Sequence, residues 1–217
     1  MSDYKVKLRF FILIADLPSV PVVDLTFVVA VGSVTDANAN YRKIKDIIKK
    51  VIDHYGKERI GYSLIVSGET PLIKVRFSEI FPTDDSLKAF VDSLPIPTRV
   101  GFLDKALEKA KELFKIESRS VAEKILVVIS DKKSESDPVK TQKSAEKLDD
   151  NNIVIIAVAL DDEDNTSELK NITSQVRNFI KANRTFSTKD LADLIMDRVE
   201  QGRLAVKNYL VYQSSYN

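Results

Sequence analysis

Apolar and polar residues follow one another in blocks along this chain, and the blocks predict alternating strands and helices. Near-continuous apolar runs, typical of central strands covered on both faces, stand at Val22 to Val31, Ile125 to Ile129 and Ile153 to Leu160. Between these runs, apolar residues recur at helical spacing, as in Asn38 to Tyr55 and Phe102 to Phe114. The alternation predicts an α/β fold with a doubly wound, mostly parallel sheet and helices on both faces.

The pattern also predicts one antiparallel strand at an edge of the sheet. Arg59 to Ser67 and Leu72 to Phe77 flank the turn sequence Gly68-Glu-Thr-Pro71, which is typical of a hairpin. The remaining predicted elements are four helices and a brief strand: Thr83 to Leu94, Val139 to Leu148, Ser167 to Val176, Lys189 to Glu200, and a strand within Phe179 to Phe186.

The two ends of the chain also have strand-like patterns. Tyr4 to Ala15 alternates apolar and polar positions, with Lys5, Lys7 and Arg9 on its polar face, and its apolar run is too short for a signal peptide. Leu204 to Tyr212 is the second strand-like segment. We expect these terminal strands to pair with each other or to extend the sheet edge. The alternative is addition to the edge of a partner or of a second copy.

Composition narrows the class of protein. The 217 residues fit a single domain over residues 1–217, with a core at 22–200 and extensions at 1–20 and 201–217. Apolar residues make up 44% and charged residues 30%, as in soluble globular proteins, and a net charge of +1 gives no support for nucleic acid as a partner. No apolar run is long enough to insert across a membrane.

The residue types argue against several chemistries. The chain has no cysteine, which excludes thiolate catalysis and cysteine metal sites, and His54 is its one histidine. It has no nucleophile elbow, no phosphate-binding loop and no dinucleotide fingerprint. Without a convergent acid, base and nucleophile, we expect a protein that is not an enzyme.

The candidate site lies where two of the central strands end. In open α/β sheets, ligands bind beyond the carboxyl ends of the strands, near the point where the strand order reverses. The loops after Val31 and Ile129 therefore mark the default position. We predict that a partner binds either at a sheet edge or at a surface formed by seven loop residues: Ser33, Thr35, Asp36, Thr98, Arg99, Asp131 and Lys132.

The order and spacing of the elements resemble the von Willebrand factor type A domain family, which has a Rossmann-like fold. The resemblance covers about Val22 to Val199, and no single motif in it is decisive. Its landmarks are Val23-Asp-Leu-Thr-Phe-Val-Val29, Arg59-Ile-Gly-Tyr-Ser-Leu-Ile65, Gly101-Phe-Leu-Asp-Lys-Ala-Leu107, Ile125-Leu-Val-Val-Ile-Ser-Asp131 and Asn152-Ile-Val-Ile-Ile-Ala-Val-Ala159.

The resemblance also implies where a metal would bind. Many members of this family hold Mg²⁺ in a metal-ion-dependent adhesion site, built from an Asp-x-Ser-x-Ser loop, a threonine and an aspartate. The first loop aligns with Ala30 to Val34, the threonine with Gly101 and the aspartate with Asp131. One of the five ligands remains, so we expect a degenerate site with no cofactor and no bound Mg²⁺.

Asp131 has two further interpretations. As a strand-end carboxylate it would be hydrogen-bonded to loop amides or paired with Lys132. Alternatively, Ser33, Asp36 and Asp131, together with Thr35, would form a rebuilt cation site. Such a site would hold Mg²⁺ weakly because it has few carboxylates.

The resemblance implies a non-catalytic module for protein–protein interaction or adhesion in an extracellular-matrix or cell-adhesion setting. We expect protein partners, such as matrix proteins, or self-association through the terminal strands, with no nucleic acid and no membrane insertion. Secretion follows from the resemblance and not from composition, and a cytoplasmic location stays open. Two alternatives are an intracellular assembly scaffold and a small-molecule carrier that uses a pocket at the strand ends.

Overall fold

The strands form one six-stranded sheet in which a single edge strand runs against the others. The computed structural model describes residues 22–32, 37–97, 101–160, 163–182 and 185–214. The strand order is β3-β2-β1-β4-β5-β6, and every pairing is parallel except that of β2 with β3. The strands are β1 Val23–Ala30, β2 Ile60–Val66, β3 Leu72–Val75, β4 Glu123–Ser130, β5 Ile153–Ala159 and β6 Phe179–Lys181.

Helices cover both faces of this sheet. They are α1 Ala37–Tyr55, α2 Asp84–Ser93, α3 Leu103–Glu117, α4 Pro138–Asp149, α5 Glu163–Ile172 and α6 Thr188–Ser214, with a short 3-10 turn at Val176–Asn178. Buried side chains of α1, α2 and α6 form one layer of the core, and those of α3, α4 and α5 form the other. The two layers confirm the predicted doubly wound α/β fold, and β3 confirms the predicted antiparallel edge.

Local signals in the sequence set several of the helix ends. Thr83 caps α2: its side chain accepts from the amide of Ser86, and the Ser86 hydroxyl accepts from the amide of Thr83. Asp137 caps α4. Pro138 follows it at the start of the helix, where a backbone N–H group would have no partner within the helix. Gly56 ends α1 with φ of +69°, a conformation that glycine adopts without a steric penalty.

The prediction of a strand at Leu204 to Tyr212 is wrong, because α6 continues through this segment to Ser214. Once a helix has formed, each added residue gains a hydrogen bond for the ordering of one residue. Leucine, alanine and lysine favour this extension, and no proline follows to stop it. The predicted helix end at Glu200 is wrong for the same reason, and the extension at 201–217 is therefore not strand-like over its helical part.

The sheet has two ends with different surroundings. The base is the end at which β1, β2, β4 and β5 begin, and the rim is the end at which they finish. The chain enters β1 at the base, where the carbonyl of Val22 accepts a 2.9 Å hydrogen bond from the amide of Glu123. The predicted strand Tyr4 to Ala15 lies outside the described residues. Among the helices described, none is long and apolar enough to cross a membrane.

An ion pair between a buried aspartate and an exposed arginine lies at the base. Asp24 is fully buried in β1, and its carboxylate accepts hydrogen bonds from the backbone amide and the guanidinium of Arg119 at 2.6 to 2.8 Å. The same guanidinium donates to the carbonyl of Val23 at 2.7 Å. Gly61 leaves the room for this arrangement, because a Cβ atom there would lie 2.4 Å from Asp24 Oδ1. The turn after α3 is thereby fixed to β1 and β2.

Candidate functional site

Asp131 joins three elements at the rim. It follows β4 directly, is 2% exposed, and its Oδ1 accepts a 2.9 Å hydrogen bond from the amide of Gly32, just after β1. Its Oδ2 accepts from Asn40 Nδ2 on α1 at 3.3 Å. Burial raises the pKa of Asp131 above its ordinary value, while these two donors and the charge of Lys132 act in the opposite direction. A loop amide therefore holds this carboxylate, and Lys132 adds an attractive charge.

The first loop offers no side-chain oxygen in its described part. Ala30 and Val31 are buried, at 6% and 0% exposure, and Gly32 has no side chain. The backbone N–H of Gly32 donates to Asp131, whereas a cation is bound by oxygen atoms. Ser33 and Val34 lie outside the described residues.

The second loop has no room for the threonine that the family places there. A Cβ atom built on Gly101 would lie 2.2 Å from Ser67 Oγ and 2.3 Å from Gly68 N. The loop after β2 is pressed against this position, since the amide of Phe102 donates to the carbonyl of Gly68 at 3.2 Å. Gly101 is therefore required by a close backbone approach, and no side chain could project from it without moving the loop.

The loop between β4 and α4 is fixed by two acidic residues of neighbouring helices. The amide and hydroxyl of Ser134 donate to the carboxylate of Glu168 on α5, at 3.0 and 2.5 Å. The hydroxyl of Ser136 donates to Asp104 Oδ1 on α3 at 2.6 Å. Sequence reasoning missed these contacts. One sign of these contacts is present in the sequence. Glu168 is an acidic residue at a position that the helical pattern places toward the core.

The structure describes only part of the predicted partner-binding surface. Asp131 and Lys132 lie side by side at the rim, Asp131 buried and Lys132 half-buried. Lys133 follows them and is exposed. The other five predicted residues lie outside the described residues: Ser33, Thr35, Asp36, Thr98 and Arg99.

The described positions do not fit the Mg²⁺ of the family. Ala30, Gly32 and Gly101 lack oxygen-bearing side chains, and both oxygens of Asp131 already accept hydrogen bonds. Within the described residues, no group of three His, Cys, Asp or Glu side chains could hold a metal ion. The rebuilt site of Ser33, Asp36 and Asp131 stays a prediction, because two of its residues lie outside the described part.

A doubly wound sheet with loops converging at its rim defines a class of Rossmann-like α/β proteins. The chain matches the von Willebrand factor type A domain model over residues 24–196, and it belongs to this family. The match confirms the resemblance drawn from the sequence. Domains of this family are typically non-catalytic modules for protein interaction and adhesion, and they are often extracellular.

Solved structures with the same fold come from distant proteins. Proximal thread matrix protein 1 from the mussel byssus is 18% identical, with a TM-score of 0.68 over 81% of this chain and 46% of its own. A second form of that protein, with a zinc-occupied adhesion motif, is 20% identical, with a TM-score of 0.66 over 82% and 44% of the two chains. This chain thus covers less than half of the mussel protein.

A third structure is the manganese-loaded TRAP protein of Plasmodium vivax. It is 14% identical, with a TM-score of 0.66 over 81% of this chain and 72% of its own. At these identities the likeness shows the fold alone. The zinc and manganese ions belong to those proteins.

Proposed function

We propose that this chain is a non-catalytic protein-binding module that engages its partner at the rim without a metal ion. The family supplies the general role of an interaction module. The close packing at Gly101 supports binding without a metal ion, because Ser67 and Gly68 occupy the space that the family's threonine side chain would need. A protein partner in an extracellular-matrix setting is the proposed ligand, because the similar mussel structure is that of a matrix protein.

Basic side chains support a polar contact at the rim. Lys132 is half-buried and Lys133 is exposed, and Asp131 beside them is too buried to offer contact area. Because the Asp131 carboxylate is already hydrogen-bonded, the two lysines present positive charge to a partner. The proposed partner therefore carries acidic residues where it meets this loop.

The metal-independent part is tested by calorimetric titration with Mg²⁺. We expect no saturable heat up to millimolar concentrations. Saturable binding at micromolar Mg²⁺ in the wild type, lost in Asp131→Asn, would instead establish the rebuilt cation site and contradict this part of the proposal.

The binding face is tested with immobilised chain and a panel of purified matrix proteins, each in Mg²⁺ and in EDTA. We expect binding that is equal in the two buffers and about tenfold weaker in the double variant Lys132→Glu, Lys133→Glu, which corresponds to about 1.4 kcal/mol. The matched control is Lys140→Glu, Lys143→Glu, with the same charge change at exposed positions of α4. Equal losses in both double variants would assign the effect to net charge and remove the rim as the binding face.

A further inference from the structure

The base of the sheet carries the most exposed large apolar side chains of the described chain. Four of them, each 74–90% exposed, lie at this end: Ile80, Ile116, Val121 and Val176. The exposed apolar side chains toward the rim are covered to a greater extent, at 42–59% exposure. These four side chains are the apolar groups at the base that a docked segment could cover.

Contacts of the neighbouring residues fix the position of these side chains. Arg76 and Ser78, just before Ile80, both bond to the carboxylate of Glu117, the last residue of α3. Ile116 precedes Glu117, and Val121 lies in the turn that leads into β4. Val176 begins the 3-10 turn that leads into β6. The four therefore spread along the base from the β3 side to the β6 side.

Two cavities open at the same end. One of about 210 Å³ lies beside Ile80, and its lining includes Ile60 and Phe77 together with the charged residues Lys57 and Glu79. The other, of about 240 Å³, lies between the 3-10 turn and α6, and its lining includes Ile153, Val154 and Gly202. Each cavity thus has a mixed polar and apolar lining and lies at the same end of the sheet as the exposed apolar side chains.

Helix α6 continues beyond the end of the sheet. Its residues Leu191, Ile195 and Val199 are fully buried against the core, and Gly202 follows them on the same face, near Ile125 and Val154 at the starts of β4 and β5. Twelve more helical residues follow Gly202, which is a rise of about 18 Å.

We infer that the N-terminal segment Tyr4 to Ala15 docks on the base and on this continuation of α6. The segment has five apolar residues on one face of its alternating pattern, which no residue of its own could cover: Val6, Leu8, Phe10, Ile12 and Ile14. It joins β1 through Val22, which lies at the base. The occupant and the exposed surface are therefore at the same end of the molecule.

Chain lengths allow this docking within one molecule. The six residues between Ala15 and Val22 reach about 20 Å, and the twelve residues of the segment reach about 40 Å when extended. Six strands spaced at about 4.8 Å span about 24 Å, so the segment can cross the base. A short tether gives an effective concentration on the order of millimolar, which favours docking in the same chain over binding of a second copy. Lys5, Lys7 and Arg9 would then face solvent.

This inference goes beyond the proposed function, because it concerns the end of the sheet opposite to the rim. Docking at the base would tie both terminal segments to one end and leave the rim free for a partner. The chain has no cysteine, so a single introduced cysteine can carry a nitroxide label without interference. Lys7→Cys places the label on the polar face of the segment, where it leaves the apolar face intact.

The test is paramagnetic broadening in the full, isotope-labelled chain carrying the nitroxide at Lys7→Cys. We expect loss of the amide signals of Ile80, Val121, Val176 and Leu210, and unchanged signals for Val139 at the rim end. The control carries the label at Lys140→Cys on α4, where we expect loss of the Val139 signal and an unchanged base. Signals at the base that stay sharp with the first label would overturn the inference.

Two further experiments distinguish docking within one chain from docking onto a second copy and from binding to a membrane. In a mixture of isotope-labelled wild type and unlabelled chain carrying the nitroxide, broadening of the base would show docking onto a second copy and overturn the intramolecular assignment. Co-sedimentation with vesicles of equal phosphatidylcholine and phosphatidylserine, lost when residues 1–18 are removed, would assign the segment to a membrane surface and overturn it as well. Sharp signals in the mixture and no sedimentation support docking in the same chain.

Discussion

Gly101 stands where the ligand pattern of the family has a threonine. In the family pattern this position gives an oxygen ligand, but here the loop after β2 occupies the space that a side chain would need. Restoring a threonine would therefore not restore a ligand. It would first push Ser67 and Gly68 away from their contacts with Phe102. The loss of the ligand and the packing of the loop are the same structural fact.

We predict that Gly101→Ala lowers the free energy of unfolding by about 2 to 4 kcal/mol, because its Cβ atom would overlap backbone atoms of Gly68 and Ser67 at 2.3 and 2.6 Å. The matched control is Gly68→Ala in the facing loop, where the nearest atom lies 3.7 Å away. Urea unfolding of both variants is the measurement. Equal stability of Gly101→Ala and wild type would show that the loop yields easily and that a ligand could be rebuilt there.

Asp131 gives a prediction about pH. Its folded pKa is raised by burial, so the folded protein holds this proton more tightly than the unfolded chain does. The free energy of unfolding that Asp131 contributes is therefore highest in acid. It falls as pH rises from the ordinary aspartate value of 3.8 through the raised pKa.

Asp131→Asn lacks this titration and keeps an oxygen that can accept from the Gly32 amide. We expect the stability of the variant relative to wild type to increase as pH rises through that window, and to stay constant at higher pH. Urea unfolding at a series of pH values measures the difference. A relative stability that decreases with pH would mean that the ionised carboxylate is stabilised in the fold.

At the scale of elements, α6 stands apart because it is longer than the sheet it covers. Its 27 residues rise about 40 Å, whereas the eight residues of β4 rise about 27 Å. Gly202 lies where the helix leaves the sheet, and it costs the helix about 1 kcal/mol relative to alanine. The nearby side chain of Val154 limits the space at Gly202 but leaves room for a methyl group.

We predict that Gly202→Ala stabilises the protein by about 0.5 to 1 kcal/mol, because its methyl group would make an ordinary 3.5 Å contact with Val154 Cγ1. Thermal and urea unfolding check this. Gly202→Leu serves as the comparison, since a larger side chain would overpack the same position and destabilise the fold. Destabilisation by both variants would indicate that α6 approaches the sheet more closely.

The whole molecule has two ends with different chemistry. At the rim, Asp131 is held by neutral donors, whereas at the base Asp24 is paired with the guanidinium of Arg119. The eight residues of β1 separate these two sites by about 25 Å. They share no partner, so each can be changed without disturbing the other.

We predict that Arg119→Ala costs about 1 to 3 kcal/mol of unfolding free energy, because it removes the ionic partner of the buried Asp24 carboxylate, while the 44% exposure of Arg119 weakens the pair through solvent screening. Combined with Asp131→Asn, the two effects should add within about 0.5 kcal/mol. The exposed pair of Lys189 and Asp193 gives a control, since Lys189→Ala should cost much less than Arg119→Ala. A larger coupling in the double variant would mean that the sheet transmits changes between base and rim.

The sequence predicted the strands and helices better than it predicted the contacts of the candidate site. Strands β1, β4 and β5 were visible because they are buried on both faces and so are apolar throughout. The tail of α6 was not, because a short apolar run has no clear period and its helical state comes from the helix before it. The close packing at Gly101 was also hidden, since the atoms that fill its side-chain space belong to a loop more than 30 residues earlier. The donor that holds Asp131 lies 99 residues away.

The central position of β1 has a consequence for how the chain folds during synthesis. Its two neighbours are β2, which follows soon after, and β4, whose Glu123 pairs with Val23 across roughly 100 residues. At about 5 to 20 residues per second, a ribosome needs on the order of 5 to 20 seconds to make the second neighbour. Until then, one edge of the most buried strand has no partner. Nascent chains that stop before β4 should therefore depend on chaperones, and completed chains should fold slowly, as expected for pairing between distant segments.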